Sequence, residues 1–156
     1  MKWTTAMKWT AEEQRQHRAE WCAALESGAY QQSYHQLHDG DGFCCLGVAC
    51  DVYFQETGDG TWAEDGYLAH IRSSDELMET YLPEVVRRYF GLQSETGEFS
   101  SVREDAPSFN DDLEKLSCTH SLAALNDELK VSFETIAEII RAEPPLLLDQ
   151  ENACKS

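Results

Sequence analysis

A chain of 156 residues with 29 acidic and 12 basic side chains, net −17 at pH 7, has the length of one ordinary domain able to bury its own core. A field of that sign repels nucleic acid and anionic membrane and speeds encounter with basic protein surfaces. The longest unbroken apolar run, residues 43–50, falls far short of the ~20 residues that span a bilayer, so the chain is expected to be neither membrane-spanning nor secreted, and to act in a cytoplasm.

The charge is uneven. Residues 1–40 hold Lys2, Lys8, Arg15 and Arg18 against five acids, so nearly all of the negative excess lies beyond them. The six cysteines, Cys22, Cys44, Cys45, Cys50, Cys118 and Cys154, lack the paired spacing of a disulfide scaffold, and reduced thiols are expected.

The opening repeats itself, Met1-Lys2-Trp3-Thr4 and then Met7-Lys8-Trp9-Thr10, and residues 1–9 are expected to be a frayed extension. Thr10 and Glu13 form a capping box, so a helix starts at Ala11, buries Trp21 and Leu25, and ends at Gly28 in the left-handed conformation. Residues 30–37 are compatible with a short extended segment, closed by the turn Asp39-Gly40-Asp41-Gly42. The stretch from Phe43 to Phe54 is apolar on nearly every side, which predicts a helix surrounded by protein; Gly47 and Ala49 favour that over a buried strand.

Gly58, Gly60 and Gly66 around Trp62, Tyr67, Leu68 and Ile71 predict a hairpin. Ser73 with Glu76 reads as a second capping box, and Leu82-Pro83-Glu84 as the first turn of a helix that Gly91 stops. Residues 93–110 are either short strands or an irregular loop. A helix over 121–129 and another capped by Ser132, with Val131 and Ile136 as a hydrophobic staple, close the domain before Pro144-Pro145, and the tail to Ser156 is expected to be loose. The fold expected is α+β and mostly α: a central buried helix over about 43–54 wrapped by three to four helices, a small β-hairpin near 60–71, and one globular domain over 10–143.

Trp21, Ala24-Leu25, Ser27-Gly28, Tyr30 and Gln32, followed by Phe43-Cys44-Cys45-Leu46-Gly47-Val48 and Cys50-Asp51, resemble a family of small proteins encoded by tailed phages and prophages. Leu82-Pro83-Glu84-Val85, Gly91-Leu92, Leu125-Asn126-Asp127, Ser132-Phe133 and Ile136-Ala137 resemble it in order and approximate spacing, over about 21–140. The resemblance implies a phage or prophage origin and action inside a bacterial host.

Three chemical constellations compete. Cys44 or Cys45 at the start of the central helix, with His120 and then Asn126 or Asp127, has the chain order of a papain-like cysteine hydrolase or transferase, since a helix N-terminus favours a thiolate. The opposing reading is buried structural cysteines. His35, His38, Cys44 and Cys45 offer zinc-type donors without a Cys-x-x-Cys pair, and Asp39–Gly42 starts like a calcium loop without its closing glutamate, so no metal or other cofactor is expected. The helix pair over 121–141 has the outline of a DNA-reading motif, but Glu134 and Glu138 give it the wrong field, and a packed helical hairpin is favoured.

The acidic surface remains. Glu104, Asp105, Asp111, Asp112 and Glu114, joined by Asp59, Glu64, Asp65, Asp75, Glu76 and Glu79, form the expected partner-binding set. Rows of carboxylates can occupy a cleft shaped for a duplex. By analogy with acidic phage proteins that block host nucleases, CRISPR effectors or RNA polymerase, the expected function is inhibition of a host nucleic-acid-binding or defence protein through its basic surface.

Overall fold

A computed structural model describes residues 9–63, 67–100 and 119–148. In chain order these form α1 (Ala11–Glu26), α2 (Cys45–Thr57), β1 (Gly60–Ala63), β2 (Leu68–Ile71), β3 (Glu76–Met78), α3 (Glu84–Phe90), β4 (Glu98–Ser100), β5 (Thr119–Ser121), α4 (Leu122–Asp127) and α5 (Phe133–Ala142). The fold is α+β and rich in helix. A three-stranded antiparallel sheet runs β1-β2-β3, and β4 pairs with β5.

Local chemistry sets most boundaries. The Thr10 hydroxyl accepts from Glu13 N–H while the Glu13 carboxylate takes Thr10 N–H, so α1 begins on the capping box. Gly58 and Gly91 end α2 and α3 in the left-handed conformation, at φ 72° and 74°. Ser132 caps α5, and Val131 and Ile136 both pack on the core beneath that cap.

α2 is the centre. Cys45, Leu46, Val48, Ala49, Cys50 and Tyr53 are fully enclosed, and each large apolar side chain among them contributes about 1.5–3 kcal/mol. α1, α3, α4 and β1 pack directly on it, whereas α5 lies mainly along α1. The Trp21 indole N–H from α1 donates to Cys45 C=O at 3.0 Å, a polar tie inside an otherwise apolar contact. Phe43 precedes the helix and Cys44 is its N-cap, so α2 starts two residues later than its apolar run. The run extends beyond the helix because Phe43 pairs in β-bridges with Gln32 and His38.

Two further expectations change. Ser73 and Glu76 do not open a helix. Ser73 N–H and Oγ both bind the Asp59 carboxylate, at 2.8 and 2.7 Å, and Glu76–Met78 pairs with β2 as an edge strand. The Glu76 carboxylate instead accepts Glu84 N–H at the start of α3. The chain also stays packed past Pro144-Pro145 as far as residue 148, and the rest of the expected tail, residues 149–156, lies outside the described residues. Leu147 and Leu148 are buried, Gln93 N–H donates to Leu147 C=O at 2.8 Å, and Ser100 N–H donates to Pro145 C=O at 2.8 Å.

Gly47 is where a side chain is forbidden. A Cβ there would stand 1.8 Å from Leu37 C=O, a backbone atom that Cys44 N–H holds at 3.1 Å. Alanine normally gains about 1 kcal/mol over glycine inside a helix, but here it collides with a fixed carbonyl. Gly47→Ala is expected to lower unfolding stability by more than about 3 kcal/mol in a denaturant titration, against a small gain for a glycine-to-alanine change in an open helix.

Candidate functional site

At the N-terminus of α2, Cys44 Sγ accepts from Gly47 N–H at 3.4 Å, and Cys45 Sγ turns toward Leu122 C=O at 3.5 Å. Both thiols are buried, as are Cys22 and Cys50. Burial pushes Cys44 up to about 12 and Cys22 up to about 11, and it raises Cys45 and Cys50 well above the ordinary thiol value. The fold therefore keeps these sulfurs protonated, opposite to the activation a nucleophile needs.

His120 does not complete a dyad. It lies on β5 against Phe99, with ring centroids 5.7 Å apart, and among the described residues its Nε2 is buried without a hydrogen-bond partner. Asn126 is not an orienting group for it either. The fully buried Asn126 amide accepts from Cys45 N–H at 3.2 Å and Gln32 Nε2 at 2.9 Å, and donates to Ser33 C=O at 2.9 Å and to Asp127 Oδ1 at 2.8 Å. All four of its hydrogen-bonding positions are spent on structure. The papain-like reading is thus corrected: Cys44, Cys45 and Asn126 form a buried joint, and desolvation overrides the helix terminus.

The zinc-type set separates as well. His35 is exposed at φ 78°, with its N–H on Asp127 Oδ1, while His38 stacks on Phe43 with centroids 4.0 Å apart. No group of three or more His, Cys, Asp or Glu that could hold a metal ion occurs among the described residues. Asp39 Oδ1 accepts Asp41 and Gly42 N–H, so that loop closes on its own backbone, and those bonds hold the carboxyl below its usual value.

Of the expected acidic set, Asp59, Asp75, Glu76 and Glu79 lie within the described residues; Glu64, Asp65, Glu104, Asp105, Asp111, Asp112 and Glu114 lie outside them. Asp59 and Glu76 are used internally. The Asp59 carboxylate takes the Tyr53 hydroxyl and two bonds from Ser73, and Glu76 binds the first amide of α3. Asp75 and Glu79 face solvent. Asp75 contacts His70 at 2.8 Å with 90% of its side chain exposed, and Glu79 accepts from Gln36 at 2.6 Å on the surface.

Beside those two carboxylates sequence reasoning missed two exposed apolar side chains. Leu77 is 53% exposed and Tyr81 43% exposed. Positions 75, 77, 79 and 81 alternate acid, apolar, acid, aromatic in sequence: Leu77 lies on the edge strand β3, Asp75 in the turn before it at φ 58°, and Glu79 and Tyr81 just after it. The period of two was visible, but the capping-box reading of Ser73 and Glu76 hid it.

A family model described as a domain of unknown function, DUF8296, matches residues 13–144. The chain belongs to that family. No curated protein and no solved structure matches it. The matched DUF8296 span runs from Glu13 in the first turn of α1 through α5 and includes residues 75–81, and no helix among the described residues is long and apolar enough to cross a membrane.

Two measurements check the joint. Asn126→Ala strands Cys45 N–H and Ser33 C=O in the interior, and is expected to lower unfolding stability by about 2–4 kcal/mol. A thiol reagent at neutral pH is expected to leave Cys22, Cys44, Cys45 and Cys50 unlabelled in the native protein. Labelling of Cys22 should rise only as pH approaches about 11, where the folded state begins to lose its proton.

Proposed function

We propose that this DUF8296 protein is a non-enzymatic acidic binding protein that inhibits a host nucleic-acid-binding or anti-phage defence protein by occupying its basic surface. The observation that carries this reading is the edge strip of Asp75, Leu77, Glu79 and Tyr81, where exposed carboxylates alternate with exposed apolar side chains. Leu77 and Tyr81 supply the desolvating anchors that give an interface its affinity, and the carboxylates supply orientation and on-rate. A net charge of −17 extends the attraction to a basic partner well beyond the strip.

The resemblance to tailed-phage and prophage proteins supports a bacterial host cytoplasm as the place of action. DNA-mimic and anti-CRISPR-like proteins illustrate the mode, in which carboxylates stand where phosphates would. The thiols of α2 have no part in it.

The test is capture from bacterial lysate on the immobilised protein, followed by nucleic-acid competition. Captured partners are expected to be basic, to release between about 0.1 M and about 1 M salt as screening shortens from ~10 Å to ~3 Å, and to lose nucleic-acid binding when captured. The double variant Asp75→Lys/Glu79→Lys and the double variant Leu77→Ala/Tyr81→Ala should each weaken capture about tenfold or more while leaving the melting temperature nearly unchanged. Partners that are not basic, capture indifferent to salt, or no capture at all would overturn the reading.

A further inference from the structure

A row of side chains crosses the three-stranded sheet on its solvent side. Thr61, His70 and Leu77 are register partners across β1, β2 and β3, so they share one face. Ala69 and Ile71, on the opposite face of β2, are fully buried, which turns the row outward. The row is open: Thr61 and Leu77 are exposed, and the His70 side chain is 31% exposed.

His70 is the one ionisable member of the row. Its Nε2 lies 2.8 Å from Asp75 Oδ1, and a carboxylate only accepts, so the neutral ring holds its hydrogen on Nε2 and keeps a lone pair on Nδ1. No hydrogen bond reaches Nδ1 among the described residues, so a second proton enters there. That proton takes the His70–Asp75 pair from one net negative charge to none, and it sets a cation in register with Leu77. The surroundings do not hide the change. Across β1 the partner of His70 is the neutral Thr61, with Asp59 before that strand engaged by Tyr53 and Ser73. Across β3 it is Leu77, with Asp75 and Glu79 on either side, and the exposed Arg72 lies just past the end of β2. Glu64 and Asp65 lie outside the described residues.

We infer that a cationic side chain of a basic protein partner competes with this proton: it docks against Asp75, its apolar neighbour covers Leu77, and binding is linked to deprotonation of His70. The inference rests on the reading that the acidic surface meets a basic protein, and it adds how that contact is regulated. Two cations beside one carboxylate repel each other, so partner and proton exclude one another. By reciprocity, the factor that the proton removes from partner affinity is the factor that the partner removes from proton affinity. Acidification weakens the contact and neutral pH restores it.

Calorimetry on the full chain tests it with a short, end-capped peptide of alternating arginine and leucine, which has no group that titrates between about pH 5.5 and about pH 8. The native sequence is expected to bind this peptide about tenfold more weakly at the lower pH, and to release protons on binding in between, read as heats that differ with the ionisation enthalpy of the buffer. His70→Gln keeps an amide that can donate to Asp75 but cannot take up the proton, so its affinity is expected to change less than about twofold over the same range. A general loss in acid strikes both chains alike, and the contrast between them isolates His70. Equal pH dependence in the two chains, native affinity indifferent to pH, or no peptide binding at either pH overturns the inference. The proposed function is judged separately, by capture from lysate at neutral pH: a basic partner captured there with pH-indifferent affinity removes the proton linkage and leaves that reading standing.

Discussion

The amide of Asn126 is the joint on which the arrangement depends. A helix enclosed on all sides cannot leave its first amides to water, so each must find a partner in the protein. Cys44 Sγ serves Gly47, and Asn126 serves Cys45 from a different helix. The same amide reaches Gln32 and Ser33, which pins the 30–43 segment beside α2. That segment brings Leu37 C=O against Gly47, where only a glycine leaves room, and Trp21 then closes the other side through Cys45 C=O. Segments far apart in the chain meet at one helix end.

The same enclosure decides the chemistry of the thiols. A helix terminus favours the thiolate by about 0.3–1 kcal/mol, up to ~2 in favourable geometry. Raising a thiol from 9.0 to about 12, as for Cys44, corresponds to about 4 kcal/mol against ionisation. Desolvation wins by the larger magnitude. The feature that makes α2 central is therefore the one that removes its cysteines from reactivity.

Local signals were legible. The Thr10 capping box, the left-handed glycines at 58 and 91, the Ser132 cap and the apolar run of α2 each act within a few residues, and the structure places each element there. Signals that depend on distant partners were not. Ser73 and Glu76 carry the spacing of a capping box, yet Asp59 claims Ser73 and β2 claims the strand. Pro144-Pro145 ends α5 as read, but nothing local announces that Leu147 will meet Gln93. The candidate site divides in the same way, because formal charge does not distinguish Asp59, spent on Tyr53 and Ser73, from Asp75, which faces solvent.

Carboxylates accordingly play two parts. Asp51 accepts from the Tyr30 hydroxyl at 2.6 Å, Gln55 at 2.6 Å and the Trp62 indole at 3.0 Å, fastening the 30s segment and β1 to α2; burial and that carboxylate together push the Tyr30 phenol up. On either side of β3, Asp75 and Glu79 face outward. An edge strand that exposes a leucine, with a tyrosine just beyond it, invites pairing with a second copy of itself. Asp75 and Glu79, interleaved with Leu77 and Tyr81, bring like charges together in any such pairing and oppose it. The same interleaving presents no obstacle to a basic surface. On the function proposed above, one alternating pattern would oppose self-association while leaving the same surface open to a cationic partner, which gives those two apolar side chains a physical reason to remain in solvent.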